Sequence, residues 1–171
     1  SGLWSNTATW SLTGHTVNDP PATPPGVNDI VIIGNGHTIN LYNNPAYPLN
    51  TATVSCASLQ IATGSVLDIG NNPGSVFSMV QNHPSGNGKF RLTTTKATPS
   101  VNNDISTFIF PSGDFSDFNV NLGTTEFYTT TGLTDGTTLY ILPPISYVGN
   151  MLLSPLGNTT MGDNMVLPNV G

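Results

Sequence analysis

Val54-Ser55-Cys56-Ala57-Ser58-Leu59-Gln60-Ile61-Ala62-Thr63-Gly64-Ser65-Val66-Leu67-Asp68-Ile69-Gly70 is the stretch on which the reading of the fold turns. Leu59-x-Ile61 and Leu67-x-Ile69 place apolar residues at every second position, the period of a strand with one buried face. Thr63-Gly64 lies between the two pairs and supplies a corner. The stretch therefore reads as strand, corner, strand, and Asn71-Asn72-Pro73-Gly74 follows it as a turn.

The same style extends in both directions. Upstream, Asp29-Ile30-Val31-Ile32-Ile33-Gly34 is a short apolar run, Asn35-Gly36 is a turn dipeptide, and His37 to Tyr42 alternates polar and apolar. Residues 43–50 read as a loop. Downstream, strands are expected at Val76 to Val80, Lys89 to Thr93, Thr107 to Phe110 and Phe118 to Leu122. More are expected at Glu126 to Thr129, Leu139 to Leu142, Ser146 to Val148, Met151 to Leu153 and Met165 to Leu167. That amounts to about eleven or twelve short strands, with no stretch of helical period long enough to form a full helix.

Composition agrees. Thr, Asn, Ser and Gly abound while Ala, Glu and Lys are scarce, which favours strands and turns over helix. Two all-β solutions compete. One is a parallel β-helix, in which short strands stack coil upon coil. The other is an antiparallel β-sandwich, the architecture of many carbohydrate-binding and pilin-like domains. Recurrent L-x-I pairs with glycine-containing corners, and strands that follow one another after only a few residues, favour the β-helix. Residues 1–27 form a separate opening segment. It holds Trp4 and Trp10 and the run Pro20-Pro21-Ala22-Thr23-Pro24-Pro25, which forbids a regular helix or central strand. It reads as an N-terminal cap on rungs that occupy 28–171, with the tryptophans plugging an open end or, alternatively, stacking on sugar rings.

Charge excludes several functions. Charged residues are 7% of 171, and the net charge of −6 arises mainly because only Lys89, Arg91 and Lys96 are basic. A phosphate-neutralising nucleic-acid binder and a polybasic membrane-surface module are both ruled out. No apolar run approaches the ~18 residues of a membrane span. The opening Ser1-Gly2-Leu3 carries no basic-plus-apolar leader, so for an exported protein the signal is expected to have been removed or to lie outside this sequence.

Chemistry-bearing residues are sparse. Cys56 has no partner cysteine and reads as a small buried hydrophobe. His15, His37 and His83 lack metal-ligand spacing. Asp114-Phe115-Ser116-Asp117 puts two carboxylates in one turn, a weak Ca²⁺ candidate without the spacing of known Ca²⁺ loops, and solvated turn aspartates are the simpler reading. Asp19, Asp29, Asp68, Asp104, Asp135 and Asp163 are scattered, and Glu126 is the sole glutamate. No carboxylate pair for glycoside hydrolysis is recognisable. Lys89 and Arg91 share one face of a strand whose other face carries Phe90 and Leu92; they would meet an acidic polysaccharide or form a solvated face. Asn158-Thr159-Thr160 matches a glycosylation sequon. The expectation is no catalytic residue, no cofactor and no metal.

One series of residues carries a resemblance: Thr9-Trp10, Pro25-Gly26-Val27-Asn28-Asp29-Ile30-Val31-Ile32, Gly36-His37-Thr38-Ile39-Asn40-Leu41, Leu59-Gln60-Ile61 and Gly64-Ser65-Val66-Leu67-Asp68-Ile69. It resembles the opening of right-handed β-helix regions in very large secreted surface proteins of Bacteroidetes, among them gliding-motility-type adhesins and other cargo of the type 9 secretion system. Phe108 to Gly132 resembles later rungs of such proteins. The opening is also similar to the G8 domain, a β-helical module of carbohydrate-associated extracellular proteins that carries more glycines. The resemblance implies a non-enzymatic structural or adhesive module on the bacterial cell surface. Its partners would be the rest of a longer parent protein, an extracellular polysaccharide or the secretion and anchoring machinery. Nothing after Leu167 resembles a C-terminal sorting domain, so the chain is expected to be a fragment. The alternative is a carbohydrate-active β-helix, either a polysaccharide lyase or hydrolase fragment or a sugar-binding module.

Overall fold

A computed structural model describes residues 1–12, 14, 23–34, 36–41, 53–70, 76–79, 84–93, 105–108, 110–128, 139–141, 149–154 and 164–166. The strands are β1 Gly2–Leu3, β2 Ile30–Ile33, β3 Thr38–Asn40, β4 Thr53–Cys56, β5 Ser58–Ile61, β6 Val66–Gly70 and β7 Val76–Met79. They continue with β8 Lys89–Thr93, β9 Ile105–Thr107, β10 Thr124–Tyr128, β11 Leu139–Ile141, β12 Asn150–Ser154 and β13 Asn164–Val166. A 3-10 turn covers Thr7–Thr9, and a short helix, α1, covers Ser116–Val120. The protein is mostly β.

Among the described residues, four sheets run in the orders β1-β3-β6-β8-β10-β12, β9-β11-β13, β2-β5 and β4-β7. Every strand pair among the described residues is parallel. The pairing expected of an antiparallel sandwich is not found among them. Parallel neighbours cannot be joined by a tight hairpin, so the chain must leave the sheet and return. It does so by visiting the others: β4 and β5 lie between β3 and β6, β7 between β6 and β8, β9 between β8 and β10, and β11 between β10 and β12.

The strand period sorts side chains into columns. In the six-stranded sheet Ile39, Leu67, Phe90, Thr125 and Met151 are stacked partners, as are Leu92, Phe127 and Leu153. Ile39, Leu67, Phe90, Leu92 and Phe127 are buried in one core with Val31, Ile33, Leu59 and Ile61 of the β2-β5 sheet and Val54 and Cys56 of β4. Burying each such side chain contributes about 1.5–3 kcal/mol. The opposite phase points outward: Ile30 and Ile32 are exposed, and so is Gln60.

Corner residues permit the close stacking. Gly149 precedes β12, and a Cβ there would lie 2.7 Å from the carbonyl oxygen of Gly123, itself the residue before β10. The Asp29 of Pro25-Gly26-Val27-Asn28-Asp29 closes its own turn: its Oδ2 accepts from the Gly26 N–H (2.8 Å), and its N–H donates to the Gly26 carbonyl (3.0 Å).

Two local expectations are corrected. Phe118 to Leu122, read as a strand, is the helix α1 and its exit. Asp114 Oδ1 accepts from the Ser116 N–H (2.9 Å) and shapes the entry. Phe115 and Phe118, three apart on one helical face, are buried while Val120 and Leu122 are exposed. The alternation of Phe118, Val120 and Leu122 thus mimicked a strand. At the other end of the chain, the opening segment, for which no strand was expected, contains β1, which pairs with β3 through Gly2–Ile39 and Leu3–Asn40. Residues 43–50 and Ser146 to Val148 lie outside the described residues.

Candidate functional site

The outward phase of the six-stranded sheet gathers most of the chain's described charge. Asp68 of β6, Arg91 of β8 and Glu126 of β10 are register partners in a single row, and Lys89 and Thr124 form the next pair along the strands. Adjacent strands stand ~4.8 Å apart, so Arg91 has one carboxylate on either side. Its Nε lies 3.2 Å from Asp68 Oδ2 and 3.7 Å from Glu126 Oε2. Lys89 Nζ reaches Glu126 Oε2 at 2.9 Å. The Arg91 guanidinium carbon sits 3.9 Å over the ring of Tyr128, a cation–π contact. The Tyr128 hydroxyl donates to the Asp68 carboxylate, 3.0 Å from Oδ1 and 3.2 Å from Oδ2. Asp68 Oδ1 also accepts from the Gly70 N–H.

Asp68, Glu126 and Tyr128 are buried, whereas Lys89 and Arg91 are about a third exposed. Burial pushes the Glu126 carboxyl pKa up. Hydrogen bonds from Ser154 and Lys89, with the charges of Arg91 and Lys89, outweigh it and hold the group below the usual carboxylate range. A catalytic acid at neutral pH needs the reverse shift. The space between the two carboxylates is filled by a guanidinium rather than open to a sugar ring. As arranged, these groups neutralise one another and tie three strands together.

The sequence placed Lys89 and Arg91 on one face with Phe90 and Leu92 opposite, and that is the arrangement found. It did not assign Asp68, Glu126 and Tyr128 to them. The available signal was phase alone, since Asp68 lies between Leu67 and Ile69 as Arg91 lies between Phe90 and Leu92. Which strand neighbours which depends on the length of each excursion, and those lengths are irregular.

A second feature lies at the β1 end. Trp4 is buried, its backbone N–H donating to the Asn40 carbonyl (2.9 Å). Trp10 packs edge-on against it, centroids 4.9 Å apart, and donates from Nε1 to the Trp4 carbonyl (2.7 Å). Beside them is an open cavity of about 410 Å³ lined by Trp10, Ile32, Ile33, His37 and Ile39 among others. Its lining is mostly apolar, and the Trp10 indole N–H and the His37 ring each have a neighbour in the chain, the latter at 3.2 Å from the amino group of Ser1.

The remaining candidates stay apart. Asp114 and Asp117 flank the start of α1. Cys56 is buried in the core. Among the described residues no three His, Cys, Asp or Glu side chains gather in a way that would hold a metal ion. No helix among them is long and apolar enough to cross a membrane. His15, His83, Asp19, Asp104, Asp135, Asp163, Lys96 and the Asn158 sequon lie outside the described residues. Compared with protein-family models, with curated proteins and with solved structures, the chain finds no match in any of the three.

Proposed function

We propose that the chain is a right-handed parallel β-helix module of a large exported bacterial cell-surface protein, capped by residues 1–27, and that it serves as a rigid structural and adhesive element without catalysis. The observation that carries this reading is the strand order: each strand of the six-stranded sheet pairs in parallel with one that follows after an excursion through another sheet. Stacked coils make a stiff body that needs no cofactor and little charge. The charged row supports the same reading, because its groups are spent on each other. So does the placement of the two tryptophans: Trp4 is buried and Trp10 half-buried, so neither offers an exposed platform for sugar rings. Partners would be the rest of the parent protein, the machinery that exports and anchors it, or an extracellular polysaccharide.

The competing reading is a carbohydrate-active β-helix, favoured by the convergence of Asp68 and Glu126. Incubation with neutral and acidic polysaccharides separates the two. Retention on a polysaccharide without new reducing ends or unsaturated products is expected. Cleavage that disappears in Glu126→Gln would overturn the non-enzymatic reading. The stacking itself is tested by spin labels at Thr38→Cys and Asn150→Cys. Those positions stand four strand spacings apart in one row, a backbone separation of about 19 Å.

A further inference from the structure

Two asparagines in the chain are followed by glycine, Asn35 and Asn87. Asn35 lies outside the described residues, and Asn87 lies at the corner that leads into β8. An Asn-Gly link carries a chemistry of its own. The backbone nitrogen of the glycine attacks the asparagine Cγ, a succinimide ring closes, and ammonia leaves. Water then opens the ring at either carbonyl and gives aspartate or isoaspartate. Glycine favours the first step because it has no Cβ to obstruct the approach. In isoaspartate the main chain runs through the side-chain carboxyl and is one methylene longer.

The fold denies Asn87 that first step. Its side chain is exposed, so water and base reach it, but Gly88 is buried. The Gly88 N–H, whose nitrogen would be the nucleophile, donates to the Ile61 carbonyl at 2.8 Å. The chain is tied down on both sides of Asn87. The Ser85 carbonyl accepts from the Ile61 N–H (3.0 Å), and the Lys89 N–H donates to the Ser65 carbonyl (2.8 Å). The Asn87 Oδ1 accepts from the Thr63 hydroxyl at 2.7 Å. Cyclisation needs the nitrogen freed and swung onto Cγ, so these ties must open first. Nor does the corner have room for the longer product. A Cβ on Gly86 would run into the Ile61 carbonyl oxygen, and one on Gly88 into the Ala62 carbonyl oxygen. Both α-carbons flanking Asn87 thus lie against the backbone at the end of β5, and an added main-chain methylene must push the two segments apart.

We propose that Asn87-Gly88 is a modification site closed by the fold. It stays an amide while residues 85–89 are bonded to residues 59–65. It converts to aspartate and isoaspartate when they part, and as isoaspartate it does not pack again. Opening of this corner is thereby made one-way by a covalent change, a route to irreversible unfolding. The proposal does not depend on the adhesive reading.

The test is peptide mapping of the whole chain after prolonged incubation in mildly alkaline buffer at increasing urea. Chymotryptic cleavage after Phe77 and Phe90 separates Asn87 from Asn35, and fragment spectra assign the converted residue. A methyltransferase specific for isoaspartate marks that product. Conversion at Asn87 is expected to follow the unfolded fraction and to be about tenfold or more slower in the native protein than in full denaturant. After the urea is removed, refolded chains are expected to be depleted of isoaspartate at this position. Asn87→Asp, which adds the charge without the methylene, is expected to refold as the wild type does. Equal rates in native and unfolded protein overturn the proposal, as does an Asn87 that stays an amide in denaturant. Equal isoaspartate in refolded and unrefolded chains overturns its one-way character. The urea dependence tests the proposal even for a chain that does not refold.

Discussion

Leu122 holds φ at 61°, the left-handed region in which a side chain costs roughly 1–2 kcal/mol. It is held there by the exit of α1. The Leu122 N–H donates to the Asn119 carbonyl (3.1 Å) and the Gly123 N–H to the Phe118 carbonyl (2.9 Å), a Schellman closure with leucine where glycine is usual. Its side chain is exposed, so little packing is at stake. Leu122→Gly is expected to stabilise the protein by about 1 kcal/mol, read as a higher midpoint in urea. Cys56 shows the opposite situation, a reactive group silenced by its site. Burial first, and the charge of Asp29 second, push its thiol up to about 11. Only the thiolate attacks disulfides. Ellman's reagent is expected to leave Cys56 unmodified in the native protein and to react promptly in denaturant.

Strands β6, β8 and β10 are joined by the row Asp68–Arg91–Glu126 as well as by their backbones. The folded pKa of Glu126 is depressed, so its contribution is present above the unfolded carboxyl range and is lost as pH falls through the folded value. Glu126→Gln is expected to flatten the acid limb of a plot of melting temperature against pH and to leave the neutral limb lower than wild type. Partial exposure of Lys89 and Arg91 screens the effect, which salt will reduce further. Corners are a second property of elements. Gly149→Ala would drive a methyl group against the Gly123 carbonyl and is expected to destabilise the sheet, measured as a lower urea midpoint; Gly64→Ala, where space is open but φ is 77°, tests backbone strain alone.

In the stacked-coil fold proposed above, the ends must be closed, because each layer protects the apolar face of the next. Trp4 is buried at the β1 end, where it joins β1, β3 and Trp10. Trp4→Ala is expected to cost about 3–5 kcal/mol and to raise binding of a dye for exposed apolar surface. Local structure was legible wherever a period and a punctuation mark coincided. Leu59-x-Ile61, Thr63-Gly64 and Leu67-x-Ile69 became β5, a corner and β6 for that reason. It was not legible at Phe118 to Leu122, where strand-like alternation conceals a capped helical turn, nor at Gly2–Leu3, too short to show a period. The charged site was half legible, Lys89 and Arg91 from their phase and their acidic partners not at all. By itself the sequence determined the β class, the inward and outward faces and the glycine corners, because these depend on residues within a few positions of one another. Only the tertiary structure decided that Asp68, Arg91 and Glu126 form one row on three neighbouring strands. Parallel pairing joins residues across irregular excursions, and no local pattern encodes their length.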